Sequence, residues 1–280
     1  IVAISSVFYA LSLNNIYSSG ALLEMNDNTS EDNSLVSNLS SQLGSLSSLA
    51  GIEVGGTFAD RTLITIEMLR SKDFFHDLII LEGVLPKLTA AGEYKKDTKT
   101  ILFSDEVYDE ISSTWKIDKK LGSLKPSFLD SYKVYSDSFN AEQDKQTGLI
   151  IISFEHISPV FAKNFLNNII NLMNKINRER DINNATKRLK YLTSGLTNTN
   201  LSEVKFAISK LIEIEQKKLM MANLSEEYLF KVIDSPFVPE KKISPKRSLI
   251  CIFITVIGVF FIILGHLIAF LIQDRRRIEN

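Results

Sequence analysis

The stretch LICIFITVIGVFFIILGHLIAFLI, residues 249–272, runs for 24 residues without a formal charge. At ~1.5 Å per residue a helix of that length reaches ~36 Å, more than the ~30 Å hydrocarbon core of a bilayer. Eighteen of these residues are Leu, Ile, Val or Phe. Each favours insertion by roughly 0.3–0.6 kcal/mol, and no Asp, Glu, Lys or Arg opposes them. The stretch is expected to form a transmembrane helix over residues 248–272, leaving 273–280 as a short tail on the far side. A buried helix of a soluble core is the alternative, and the length and uniformity of the run argue against it.

At the other end, residues 1–13 read IVAISSVFYALSL. As a helix they would reach only ~20 Å, too short to cross. The chain begins without Met, and no basic segment precedes the apolar one as a signal peptide would require. The expectation is a truncated first transmembrane helix over residues 1–15, with a buried N-terminal helix or strand as the other reading. Lys241, Lys242, Lys246 and Arg247 precede the second apolar run while Arg275, Arg276 and Arg277 follow it, so flanking charge does not decide orientation. Two terminal anchors would put the whole middle of the chain on one side of a membrane. The eight residues beyond the second are expected to be too few for an output domain.

Lysine plus arginine number 32 against 33 acids, a net charge of −1, which supplies no broad field for nucleic acid. The single cysteine, Cys251, lies inside the apolar run, leaving the polar part without a thiol for disulfides, thiolate zinc or nucleophilic catalysis. His76, His156 and His266 are far apart and lack metal-ligand spacing. Gly51, Gly55 and Gly56 lack the Lys-Ser/Thr ending of a phosphate loop and read as a turn. Asp105, Glu106, Asp109 and Glu110 read as a solvated face. Asn28, Asn38, Asn184, Asn200 and Asn223 each open an Asn-x-Ser/Thr tripeptide, which chance explains in an Asn- and Ser-rich chain. The expectation is no catalytic, cofactor-binding or metal residue, hence no enzyme.

The middle reads as a mixed α/β domain over residues 16–157. Residues 16–25 begin a strand. Residues 26–48 carry Leu35, Leu39, Leu43 and Leu46 on one helical face but are polar enough for a loop, and both readings stay open. Residues 60–85 have helical spacing with Ile64, Met68, Phe75, Leu78 and Leu81 inward, ended by Pro86. Residues 132–139 and 149–155 read as two strands of a hairpin. Ser158 and Pro159 then open a long helix, serine as cap and proline at a first-turn position where no hydrogen bond is lost. Phe161, Phe165, Ile169, Leu172 and Ile176 make one stripe, resumed by Ala185, Leu189 and Leu192. Residues 193–199 supply a turn, and Asn200 with Glu203 resembles a capping box for a second helix carrying Val204, Ile208, Leu211, Ile212 and Leu219 inward. The two helices suggest an extended hairpin over residues 158–225, whose slender body leaves apolar surface for contacts within the chain or between copies. Residues 226–247 return to the second apolar run.

Read in this order, the sequence resembles the polysaccharide chain-length determinants, co-polymerases of the Wzz type. Pro236, Pro239, Pro245, Lys246 and Arg247, in VIDSPFVPEKKISPKR, look like that family's proline-rich approach to the membrane, although a stiff extended linker describes the same residues. TGLIIISFEHISPVFAKNFLNNIINLMNKINRERD from Thr147 and IEMLRSKDFF from Ile66 add to the likeness. The resemblance implies an α/β (α+β) membrane-proximal domain with an extended helical arm, flanked by two transmembrane helices. It implies a periplasmic, inner-membrane protein that forms ring-like homo-oligomers and sets the length of O-antigen or a related polysaccharide. The polymer would be made from lipid-linked glycan by a separate membrane polymerase. Some relatives continue into a tyrosine kinase; this chain resembles the kinase-free branch. Within the second apolar run, Gly258 and Gly265 would let another helix approach, and His266 would either meet the polymerase or a neighbouring subunit, or sit neutral near the interface. A competing reading of the two-anchor layout is a sensor ectodomain or a transport adaptor.

Overall fold

The computed structural model describes residues 2–26, 58–118 and 122–278, with side chains at 5–26, 61–118, 122–261, 264 and 265. At its centre lies a four-stranded antiparallel sheet built from chain segments far apart in sequence. Strand β1 (Tyr17–Met25) pairs with β10 (Phe230–Asp234) on one side and β9 (Ile150–His156) on the other, and β9 pairs with β8 (Phe139–Gln143). Burial alternates along β1 and β9, placing Tyr17, Ser19, Ala21, Leu23 and Met25 on the face shared with Ile150, Ile152, Phe154 and His156. That period of two is what a half-covered sheet demands.

Helix α6 (Pro159–Asn198) covers this face. Ser158 caps it, accepting the amide of Phe161 at 3.2 Å, and Pro159 occupies the first helical position. Phe161, Phe165, Ile169 and Met173 follow at intervals of four and are all buried. Phe154 of the sheet meets Phe165 with ring centroids 4.5 Å apart, and Tyr135 stacks on Phe139 at 5.2 Å. Each such ring is worth roughly 2–3 kcal/mol in area removed from water.

Around this core sit α2 (Phe58–Leu69), α3 (Lys72–Ile79), α4 (Val84–Thr89) and α5 (Phe128–Ser138), with three two-stranded ribbons, β2 (Ala91–Lys95) with β3 (Thr100–Phe103), β4 (Tyr108–Asp109) with β5 (Thr114–Trp115), and β6 (Ile117–Asp118) with β7 (Gly122–Ser123). Residues 60–85 are thus several elements rather than one pattern. Ser71 breaks the run by capping α3, its hydroxyl accepting from the amide of Phe74 at 3.2 Å. Ile64 is 59% exposed, whereas Ile66 and Leu69 are buried in its stead. Pro86 does not end the pattern but lies in the first turn of α4, where a missing N–H has no partner to lose. Residues 132–138 are helix, not strand: Ser127 caps α5, and Phe128, Tyr132, Tyr135 and Phe139 recur at 4, 3 and 4. β-Favouring side chains disguised a helical period. The expectations for residues 26–48, beyond Asn26, and for Gly51, Gly55 and Gly56 lie outside the described residues.

The arm is an antiparallel pair, the distal half of α6 and α7 (Ser202–Leu224). With 40 residues, α6 reaches ~60 Å. It continues through the expected turn at 193–199, because no proline or glycine-led cap stops it before Asn198. Asn200 is not the cap of α7; Leu201 holds that place without a side-chain bond. Ala185 and Ala222 are buried in the seam, flanked by Arg188, which grips Glu215 through two bonds of 2.6 and 2.9 Å. Tyr228 donates to Asp181 at 2.7 Å, and Lys218 pairs with the same carboxylate at 3.4 Å.

Candidate functional site

Both ends of the chain descend to the same place. α1 (Val2–Ser12) packs beside α8 (Arg247–Ile278), so the terminal apolar segments form a two-helix foot under the sheet. The seam is made of small residues: Ser6 and Ala10, four apart, are 2% and 1% exposed. Cys251 Sγ lies 3.8 Å from the carbonyl oxygen of Ser6. Small side chains at this spacing let two helix backbones approach closely. On α8 the half-buried stripe is Cys251, Ile254, Thr255 and Gly258, so Gly258 sits on the side that meets α1. Gly265 is exposed, and a Cβ added there would meet no other atom within 4 Å. The His266 side chain lies outside the described residues.

The outer faces of the foot are apolar. Val7, Phe8, Tyr9 and Leu11 on α1 and Ile252, Phe253, Val256, Phe260 and Phe261 on α8 are each about half or more exposed. A contiguous surface of this kind marks an interface with lipid or protein. Among the described residues no helix is long and apolar enough to cross a membrane. The 24-residue apolar run of the sequence continues past Phe261, the last of the consecutively described side chains of α8.

The connector from β10 to the foot is held along β1. Ser19 donates its hydroxyl to the carbonyl of Phe237 at 2.7 Å. Ile16 donates to Ser244 at 2.9 Å and accepts from Ile243 at 2.9 Å. Pro236 and Pro239 are buried and Pro245 half-buried, and proline suits such a flank because it has no N–H to leave unpaired. The three prolines therefore sit in one segment guiding the chain from β10 into α8.

Where the foot joins the base there is an open cleft of about 760 Å³. Its walls come from the exit of α1 (Leu13, Asn14, Asn15), from β2 and the turn after it (Tyr94, Lys95, Lys96), and from Arg247 at the start of α8. Asn14 donates to the Gly92 carbonyl at 2.7 Å and ties α1 to β2. Gly92 lies at a bulge where a Cβ would stand 3.3 Å from the carbonyl of Leu102, so only glycine permits that approach without displacing the neighbouring strand. Arg247 Nη2 donates to the Leu13 carbonyl at 3.1 Å and to Asn15 Oδ1 at 3.2 Å, while Lys242 reaches Asn15 Oδ1 at 3.0 Å. The buried Nε of Arg247 has no acceptor within the protein, a deficit that ordinarily costs ~1–3 kcal/mol. Lys96 lies over the Tyr17 ring at 5.7 Å. Burial raises the pKa of Tyr94, and Tyr17 adds to the rise while Lys96 opposes it.

His156 is structural in its geometry: buried, it bonds the Lys87 carbonyl through Nε2 at 3.0 Å and accepts the Ser158 amide on Nδ1 at 3.0 Å. These bonds fix the neutral tautomer with its proton on Nε2. Among the described residues no group of three or more His, Cys, Asp or Glu is placed to hold a metal ion. The sequence reading named the prolines, Gly258 and Arg247 but missed Ser6 and Ala10, whose i, i+4 spacing was the available signal. It also missed Lys95, Lys96 and Asn15, which only tertiary folding brings to the foot.

No family model matches the chain, and no curated protein matches it. Among solved structures, a fragment of WzzB, a polysaccharide co-polymerase from Salmonella Typhimurium, is similar at 12% identity and a TM-score of 0.38, over 82% of this chain and 100% of that one. A full-length bacterial polysaccharide co-polymerase is similar at 10% identity and a TM-score of 0.33, over 95% of this chain and 92% of that one. The chain is similar to polysaccharide co-polymerases of the Wzz type.

Proposed function

We propose that this protein is a non-enzymatic regulator of polysaccharide chain length, anchored by α1 and α8 in a bacterial inner membrane with its base and arm in the periplasm. It works as a ring-like homo-oligomer beside a separate membrane polymerase that extends a lipid-linked glycan, in O-antigen or related surface-polysaccharide synthesis. The observation that carries the reading is the foot: both chain ends packed as one pair, apolar on the outside, directly beneath an α/β base and a ~60 Å helix. The proline-rich connector, its ends bonded along β1, supports it by fixing the base to that foot. A scaffold acts by geometry, so a rigid body held at a fixed height above lipid is what such a role needs.

Deleting the gene and resolving the cell's polysaccharide on a gel tests the function. Loss of the modal length, restored by the intact gene, is the expected outcome. A ladder unchanged by deletion, with the wild-type protein shown to be expressed, overturns it and leaves the sensor or transport-adaptor reading.

A further inference from the structure

The cleft at the top of the foot has a charge pattern that its structural role does not account for. Its charged lining is Lys95, Lys96 and Arg247 with Glu93 and Asp97, which leaves one net positive charge. No carboxylate among the described residues pairs with any of the three cations. Arg247 spends Nη2 on Leu13 and Asn15, yet its Nε is buried without an acceptor. A guanidinium held in place by two bonds at the wall of a cleft is positioned for an oxyanion.

We propose that this cleft binds the phosphate of an anionic phospholipid, with Arg247 as the fixed donor and Lys95 and Lys96 as the mobile ones. The inference rests on the membrane-anchored reading of the foot. The charge balance matches one phosphodiester. Position separates a lipid from free phosphate as the source: Leu11, at the end of α1, lines the cleft and is 58% exposed, and Leu249, just inside α8, is 47% exposed. The cleft therefore opens where apolar helix surface gives way to polar base, the level of headgroups when the foot is in a bilayer. A lipid bound there would bridge α1, β2 and α8 and brace the base against the membrane.

The test is native mass spectrometry of the full chain in mild detergent, titrated with phosphatidylglycerol or phosphatidylcholine. Wild type is expected to retain phosphatidylglycerol about tenfold more than phosphatidylcholine, and Arg247→Gln to lose that preference. Lys95→Gln with Lys96→Gln changes only exposed side chains and is expected to lose most of the preference with the fold intact by circular dichroism. Equal retention of both lipids by wild type, or unchanged selectivity in the lysine variant, overturns the proposal. Inorganic phosphate alone binding at micromolar concentration and displacing the lipid also overturns it, by making the source a soluble anion. Alkaline carbonate washing of membranes tells the two readings apart: a wild-type chain stripped from the membrane refutes the anchor, whereas one retained without lipid selectivity refutes only this site.

Discussion

The side-chain oxygen of Asn174 lies 2.8 Å from the backbone nitrogen of Phe230. It also accepts from Leu229 at 2.9 Å, and its Nδ2 reaches back to the Phe230 carbonyl at 3.4 Å. One buried carboxamide thus clasps the point where α6 leaves the base to the point where the chain returns from the arm as β10. Replacing Asn174 with Leu keeps the volume but strands two amide donors. The expected loss is about 2–6 kcal/mol, at ~1–3 kcal/mol per orphaned group. For a chain of this size that lowers Tm by roughly 5–15 °C, which thermal unfolding followed by circular dichroism measures.

Nothing in the sequence pattern announces this clasp. Asn174 sits among other asparagines on a helix that already reads as amphipathic, and its partners are more than fifty residues away. What was legible were the features whose physics is local: the Ser158–Pro159 start of α6, its stripe of Phe161, Phe165 and Ile169 at intervals of four, and the strands at 16–25 and 149–155. The strand expected at 132–139 failed because Tyr132, Val134, Tyr135 and Phe139 are strand formers by propensity. The capping bond of Ser127 and burial of one helical stripe outweigh that preference. The cleft was invisible for a third reason, since its cations come from β2 and α8, some 150 residues apart.

His156 makes the protein sensitive to acid. Burial lowers its pKa from the ordinary 6.5 to about 4, against opposing bonds to Lys87 and Ser158. The folded value lies below the unfolded one, so the folded state binds fewer protons in the interval. The stability this contributes is fully present above pH 6.5 and is lost as pH falls towards 4, by a total of about 3 kcal/mol. Denaturation midpoints measured across that window should decline less steeply for His156→Gln than for wild type. Carboxylates such as Asp144, whose pKa is lowered by the bond from the Gln146 amide, titrate in both proteins and cancel in the comparison. Parallel pH profiles for the two proteins would remove His156 as the source.

Phe165 is where sheet, base helices and arm helix converge. It is fully buried and contacts Phe154, Phe161 and Tyr135, with centroids 4.5, 5.4 and 6.1 Å away. Tyr135 is itself pinned, donating its hydroxyl to the Leu69 carbonyl at 2.6 Å, so the surrounding rings cannot collapse into the space. Phe165→Ala should cost about 3–5 kcal/mol, the range for truncating a buried aromatic ring. Val204→Ala, half-buried on α7, should cost under about 1.5 kcal/mol. Urea denaturation of both variants decides whether the stability of this protein resides in the base or is shared with the arm.

The packing of α1 on α8 can be tested with a single new thiol. Cys251 is the only cysteine in the chain, and its Sγ lies 3.8 Å from the carbonyl oxygen of Ser6, whose side chain is buried in the same seam. A disulfide requires Cα atoms within about 7 Å and β-carbons that face each other, and a seam of small residues brings helices to that range. Ser6→Cys is expected to form an intramolecular disulfide with Cys251 under mild oxidation of the full chain. The readout is a mobility shift on non-reducing gels that dilution does not abolish. Val7→Cys, on the exposed face of α1, should form none with Cys251. If Ser6→Cys cross-links only between copies, the foot is an interface between two molecules, and the packing of α1 on α8 within one chain is refuted.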